Sequence, residues 1–452
     1  MTMSKNREHG VSSRFRHGRL RRSSSWGNAL RVLITGALVV GLSGVATVAY
    51  AVWGLAQNVN TVSLGGSAPG VDAVDLSSQS LDGPLTVLLV GSDTRAGQSL
   101  DDGETGELND VNLLLHVSAD HENATVISFP RDLMVPIPSC PGPNGEPDYT
   151  PAMSEQQINT TLGVGGLPCV AATISELTGM EIPYAGMVTF DGVIQMSNAI
   201  GGVEVCLTQP IDDPYTGLEL PAGMNTLSGG QALQFLRTRH GVGDGGDTSR
   251  ISNQQVFMSA MMRQLKSSNT LGDPMKVYGL AKAIVENMTL SDNMANVPFM
   301  QAAAGTVKDI DLSRINFVQY PTTTHPYEAG RLTPDSASAQ ALIDAVVSGQ
   351  PFNVTAVGEG VAADGTAETA DPSAEPQVDP ETGLPIDPAT GWPIDPATGW
   401  PIDPATGQPV DPATIPPTET PAADPNAPVE LPSNITGQRA DQQTCSQGRT
   451  VF

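Results

Sequence analysis

Seven basic side chains serve residues 84–266: Arg95, Arg131, Arg237, Arg239, Arg250, Arg263 and Lys266. They stand against 21 acids, and none lies between Asp132 and Leu236. The positive charge is gathered into GSDTR (91–95), FPRD (129–132), RTR (237–239) and DTSR (247–250), each ending an apolar run or sitting beside Gly or Ser. Six of the seven are Arg, whose planar fork matches phosphate oxygens. Arg237 and Arg239 are two apart, so an extended segment would project both to one side. Arg250 and Gln254 are four apart and share a face of a predicted helix. Arg250 falls in that helix's first turn, where free backbone N–H groups favour an anion, and Asp247 is a candidate N-cap. A Gly-rich loop (241–246) lets the two Arg sets fold onto one ligand. Asp93 follows one predicted strand and Asp110 precedes the next, where sites form on α/β sheets. Two carboxylates plus substrate phosphate oxygens are a usual way to hold Mg²⁺.

Other chemistries lack their residues. The chain has no G-x-x-x-x-G-K-[ST], no H-E-x-x-H, no G-x-S-x-G and no C-x-x-C, and its six histidines are scattered. Gly241 to Gly246 fits G-x-G-x-x-G formally, but it follows a helix-like run (ALQFLRTRH) and reads as a flexible loop. The net charge of −26 over 452 residues argues against a nucleic-acid partner, since phosphate backbones need a basic surface.

The elements that must position these groups follow from texture. Residues 1–31 carry eight basic side chains and one acid, and residues 32–56 carry no charge. Twenty-five residues of helix cross a bilayer core, and the Arg-rich flank predicts a cytoplasmic N-terminus with everything beyond about residue 57 outside. A cleaved signal peptide ending at Ala49-Tyr50-Ala51 is the alternative; the apolar stretch exceeds a usual h-region, which favours an anchor. Residues 57–83 read as a spacer. Leu85–Val90, Asn112–Val117 and Thr125–Phe129 read as strands. Helical patterns cover Val170–Leu177, Phe190–Ala199, Gly229–Leu236 and Ser249–Leu265. This is an α/β class, a mixed sheet with surrounding helices, over residues 84–352. Residues 353–452 hold 17 of the 37 prolines and a period of eight (VDPETGLP, IDPATGWP, IDPATGWP, IDPATGQP). That composition predicts an extended, polyproline-like spacer with no core. Cys140, Cys169, Cys206 and Cys445 all fall on the outer side, where disulfides persist. Three pairings are open, with Cys140 to Cys169 mildly preferred because it ties a Pro/Gly-rich loop. Met258, Met261 and Met262 read as helix core, with a groove for a lipid chain as the alternative.

Taken in order, GSDTR, SFPRD, INTTLGVGG (158–166), FDGVIQMSNAIGGVEV (190–205) and GGQALQFLRTRH…GDTSRISNQQ (229–255) resemble the LytR-CpsA-Psr family over residues 84–270, as does the single basic-flanked anchor. The resemblance implies an extracytoplasmic phosphotransferase of bacterial cell-wall assembly. It would move a glycopolymer from a polyprenyl diphosphate carrier onto peptidoglycan with Mg²⁺. By motif, Asp93 and Asp110 resemble the metal-binding aspartates. Arg131, Arg237, Arg239, Arg250 and Gln254 resemble the diphosphate-binding residues; Arg95 and Asp132 share those motifs, and Asp247 belongs to the last. Where the family commonly has Arg-Ser-Asp-Thr, this chain has Leu108-Asn109-Asp110-Val111. Gln157 stands at a common Lys and Asn253 at a common Arg. No general base is assigned to Asp132 or Asp247. Competing expectations are a lipid-diphosphate hydrolase and a non-catalytic envelope protein that binds lipid-linked glycan.

Overall fold

The computed structural model describes residues 59–64, 81–94, 107–142, 149–266, 274–354, 356–363 and 428–451, together with positions 384, 393–396, 398, 400–402 and 406–410 of the repeat segment. The chain divides into two compact units, Met1–Gln57 and Asn58–Phe452, and every described residue lies in the second. The predicted anchor 32–56, the basic segment 1–31 and Arg95 lie outside the described residues.

A mixed eight-stranded sheet forms the centre. Its strands are β1 (Asn60–Val62), β2 (Leu85–Ser92), β3 (Asn109–Val117), β4 (Ala124–Phe129), β5 (Tyr184–Val188), β6 (Met288–Ser291), β7 (Ile315–Gln319) and β8 (Gly437–Arg439). They lie in the order β1-β6-β5-β2-β3-β4-β7-β8. The β2–β3–β4 meander is antiparallel, while β5 joins β2 and β7 joins β4 in parallel. Alternation along the strands sorts side chains to two faces. Leu88, Val90, Leu114, Ile127 and Phe129 enter one core with helices α1 (Thr161–Thr178) and α7 (Ser336–Ser348). Leu85, Val87, Val117 and Val126 enter another, opposite α4 (Asp247–Lys266) and α6 (Val297–Lys308). The result is a helix–sheet–helix sandwich. Met258 and Met262 pack in the second core and Met261 in a third, so the methionines are helix core. Among the described residues, Ile158–Thr178 is apolar and long enough to cross a membrane, but it is mostly buried in the protein.

A second sheet carries the strands Gly223–Leu227, Val203–Leu207, Thr444–Ser446 and Val361–Ala363 in that order. Among the described residues the further α-helices are α2 (Phe190–Ala199), α3 (Gly230–Arg237) and α5 (Pro274–Asn287).

Three sequence expectations change. The spacer contributes β1 through Asn60–Val62, which pairs β6. The boundary at 352 excludes a segment that belongs to the body: β8 pairs β7, and Thr444–Ser446 lies between Val203–Leu207 and Val361–Ala363. Gly437 and Gly448 permit that return, since a Cβ on either would collide with the carbonyl oxygens of Phe317 and Gln209. The bridge Cys206–Cys445 fastens it, alongside Cys140–Cys169. Finally, the described repeat residues fold back where an extended spacer was expected. Ile394 bridges Pro401 and Ile402 bridges Pro409, both antiparallel. Thr398 Oγ1 donates to Asp395 Oδ2 (2.7 Å) and Gly407 adopts a positive φ of 67°. Those two turn devices outweigh proline's extended preference.

Candidate functional site

Strand ends bring the first acids together. Opposite Gly91 and Ser92, β3 pairs through Val111 and Asn109, leaving Asp110 as the extra residue of a β-bulge. A bulge re-aims the side chain it carries. Asp93 sits just beyond β2: its amide donates to the Leu108 carbonyl (3.2 Å), and the Leu108 amide donates to Asp93 Oδ1 (2.9 Å). Asn109, at a position without its family residue, is fully buried and accepts from Thr161 Oγ1 (3.2 Å) and the Leu162 amide (3.1 Å). It thereby caps the start of α1 from a neighbouring strand.

Around Asp110 the arginines converge. Arg131 Nη1 donates to Asp110 Oδ1 at 2.9 Å, and its Nε lies 3.7 Å from Asp132 Oδ2 and 3.9 Å from Asp247 Oδ1. The Arg131 amide donates to Asp247 Oδ2 (3.2 Å). Arg250 Nη2 donates to the Asp110 carbonyl (3.1 Å) and lies 2.6 Å from Asp247 Oδ1, an ion contact without hydrogen-bond alignment. Asp247 is thus the first residue of α4, not its N-cap, and its carboxylate bridges two guanidiniums. Asp244 does the local capping, accepting from the Gly246 amide (2.7 Å) and Ser249 Oγ (2.6 Å).

Charge and burial act against each other here. Burial works to lower the Arg131 pKa, but the charge and hydrogen bond of Asp110, then Asp132 and Asp247, outweigh it and the net shift is upward. For Arg250 burial wins and the shift is downward: Asp247 and Asp110 oppose it, while repulsion from Arg131 and Arg239 adds to it. Nε of Arg131, of Arg239 and of Arg250 are each buried with no hydrogen-bond partner among the described residues. A buried donor left unmade costs about 1–3 kcal/mol. Three in one cluster fit an anion with several oxygens.

Arg237 and Arg239 do not share an extended strand. Arg237 ends α3, and Thr238 begins the extended chain with ψ 133°. The Arg237 guanidinium lies over the Phe190 ring at 4.7 Å. Gln254 Nε2 donates to the Leu236 carbonyl (3.0 Å) and Asn253 Nδ2 to that of Phe235 (2.7 Å). Gln254 therefore staples the helix end that presents the two arginines. Asn253 also accepts from Ser446 Oγ (2.6 Å), linking that end to the C-terminal segment.

Asp132 reaches beyond the sequence motifs. Its Oδ1 accepts from Gln157 Nε2 (2.6 Å) and from Arg331 Nη1 (2.5 Å). Arg331 lies some 75 residues past the last motif, and no local pattern marks it; the tertiary pairing of Leu133 with Leu332 brings it here.

Among the described residues no group of three or more His, Cys, Asp or Glu could hold a metal ion alone. Asp93 and Asp110 offer oxygen donors from neighbouring strand ends, which fits Mg²⁺, an ion that takes most of its shell from water and substrate phosphate.

The LytR_cpsA_psr family model matches residues 57–343. The chain is 29% identical over 268 residues to the cell wall biosynthesis protein LcpA of Corynebacterium glutamicum, covering 54% of this chain and 51% of that protein. It is 25% identical over 244 residues to the polyisoprenyl-teichoic acid–peptidoglycan teichoic acid transferase TagT of Bacillus subtilis, covering 52% and 69%. The chain spans about half the length of LcpA. A solved LytR-Csp2A-Psr enzyme from Actinomyces oris superposes with a TM-score of 0.44 at 21% identity, covering 59% of this chain and 94% of that one.

Proposed function

Because the chain belongs to the LytR_cpsA_psr family, we propose that it transfers a glycopolymer phosphate from a polyprenyl diphosphate carrier to peptidoglycan. The observation that carries this is a set of three buried, unpartnered guanidinium Nε donors: those of Arg131 and Arg250, held at Asp110 and Asp247, and that of Arg239, near enough to repel Arg250. A diphosphate diester is an anion of the right kind to satisfy them.

The acceptor sugar hydroxyl attacks the phosphorus that carries the glycopolymer. The bond from that phosphorus to the bridging oxygen breaks, the polyprenyl phosphate leaves with its electron pair, and the hydroxyl's proton passes to solvent. Negative charge grows on the phosphoryl oxygens and the leaving phosphate. Arg131, Arg239 and Arg250 oppose that charge from fixed positions, so little reorganisation accompanies the reaction. Asp247 bridges two of those guanidiniums and offsets their mutual repulsion, and Gln254 fixes the backbone that presents Arg237 and Arg239. Asp93 and Asp110 would hold Mg²⁺, which when bound neutralises phosphate oxygens. The reading places this body outside the cell membrane, anchored by one N-terminal helix.

The test is to give the full chain a labelled glycan on a short prenyl diphosphate, with Mg²⁺ and peptidoglycan. Label on peptidoglycan supports transfer. Free sugar phosphate would make it a hydrolase, and binding without turnover a lipid-linked-glycan binder. R237A and R239A should each abolish transfer.

A further inference from the structure

We infer that Arg331 is a substrate-binding residue of this site, a guanidinium brought by the hairpin after β7 that turns the cluster positive. The inference rests on the reading above.

The hairpin pairs Thr322–Thr324 with Leu332–Pro334 and is sewn to the site through its backbone. Leu332 donates its amide to the Asp132 carbonyl (3.1 Å), and Leu133 bridges Leu332 in parallel. Within the hairpin the His325 amide donates to the Arg331 carbonyl (2.9 Å), and the Arg331 amide to that of Glu328 (3.2 Å). These bonds place residue 331 beside Asp132 whatever its side chain.

The guanidinium itself is not required there for structure. Gln157 already donates to the same Asp132 oxygen at 2.6 Å, so Oδ1 is satisfied without Arg331. The Arg331 side chain keeps 35% of its surface exposed, against 22% for Arg131 and 5% for Arg250. Asp132 is 11% exposed, but it keeps Gln157 and Arg131 beside it when the half-open Arg331 is removed, so the loss in stability is small.

It matters for charge. Asp110, Asp132 and Asp247 are balanced by Arg131, Arg239 and Arg250. That set carries no net charge. Arg331 makes it positive by one, through a guanidinium more open to an arriving phosphate than those of Arg131 and Arg250. One Nη1 contact to Asp132 leaves further N–H groups of the fork for phosphate oxygens.

The experiment uses the full chain, with R331A, R331A/Q157K and wild type. Binding of a short-chain prenyl diphosphate disaccharide is measured by calorimetry, and transfer to peptidoglycan by steady-state kinetics. R331A should weaken binding about tenfold, the scale of one charge-assisted contact, and raise KM more than it lowers kcat. Its thermal midpoint should match wild type, because the backbone holds the hairpin. Q157K, placing an ammonium on the same Asp132 oxygen, should restore most of the affinity. Binding by R331A within twofold of wild type overturns the proposal, as does a loss that Q157K leaves unrepaired. If wild type binds no prenyl diphosphate, the function proposed above fails and this falls with it. Binding that survives R331A removes Arg331 alone.

Discussion

Replacing both cysteines of the longer bridge, C206S/C445S, asks how far the arginine cluster depends on the C-terminal segment. The bridge closes a loop of 239 residues, whereas Cys140–Cys169 closes one of 29. Restricting the unfolded chain by loops of those sizes corresponds to about 5.5 and about 3.5 kcal/mol at 25 °C. C206S/C445S should therefore destabilise more than C140S/C169S, by about 2 kcal/mol. The loss should also be felt locally. The Arg449 amide donates to the Gly241 carbonyl (2.8 Å), the Gly243 amide to that of Gln447 (3.1 Å), and Arg449 Nη1 to that of Asp244 (3.0 Å). These bonds order the Gly-rich loop that joins Arg239 to Arg250. Urea unfolding of the two variants gives the global difference, and amide exchange at Gly243 gives the local one. Faster exchange at Gly243 in C206S/C445S, with the Leu114 amide of β3 still protected, is the expected pattern. Equal losses for the two variants, or unchanged protection at Gly243, would refute the reasoning.

Other outcomes follow from named contacts. D247N removes the charge facing Arg250 in a pair whose side chains are 5% and 6% exposed. Urea unfolding should show a loss of about 3–5 kcal/mol; less than 1 kcal/mol would mean water reaches the pair. Burial lowers the His116 pKa below its ordinary 6.5, so the unfolded chain takes up the proton first. Stability should hold above pH 6.5 and fall as pH drops from 6.5 through the folded pKa. In H116Q the slope of the urea midpoint over that window should flatten, and a slope of opposite sign would contradict the burial. Truncation after Phe352 removes β8, the strand Thr444–Ser446 and Cys445. The truncated chain should lose its cooperative thermal transition, and a normal one would show the segment to be dispensable.

Much of the frame was legible where periodicity is local. The runs LTVLLV and ATVISF announce strands because both faces of the sheet are buried, and α2, α3 and α4 announce themselves by apolar spacing. The site was legible as a set of residue types: Asp110, Arg131, Asp132, Asp247 and Arg250 do meet. Their roles were less so. Whether Asp247 caps a helix or bridges two arginines depends on Arg131, 116 residues away. The bulge at Asp110 is a matter of register between strands, which composition does not encode. Arg331 and the Cys445 segment are joined to the site by pairings across some 200 residues or more, and nothing in a local window distinguishes them from a loop and a tail.

The octad region has a fixed address at both ends. Val361–Ala363 pairs with Thr444–Ser446 and Val429–Glu430 with Phe352–Asn353, so residues 364–428 are, along the sequence, an insertion and not an appendage. Closing a loop depends only logarithmically on its length, so gaining or losing one octad changes that term by about 0.1 kcal/mol.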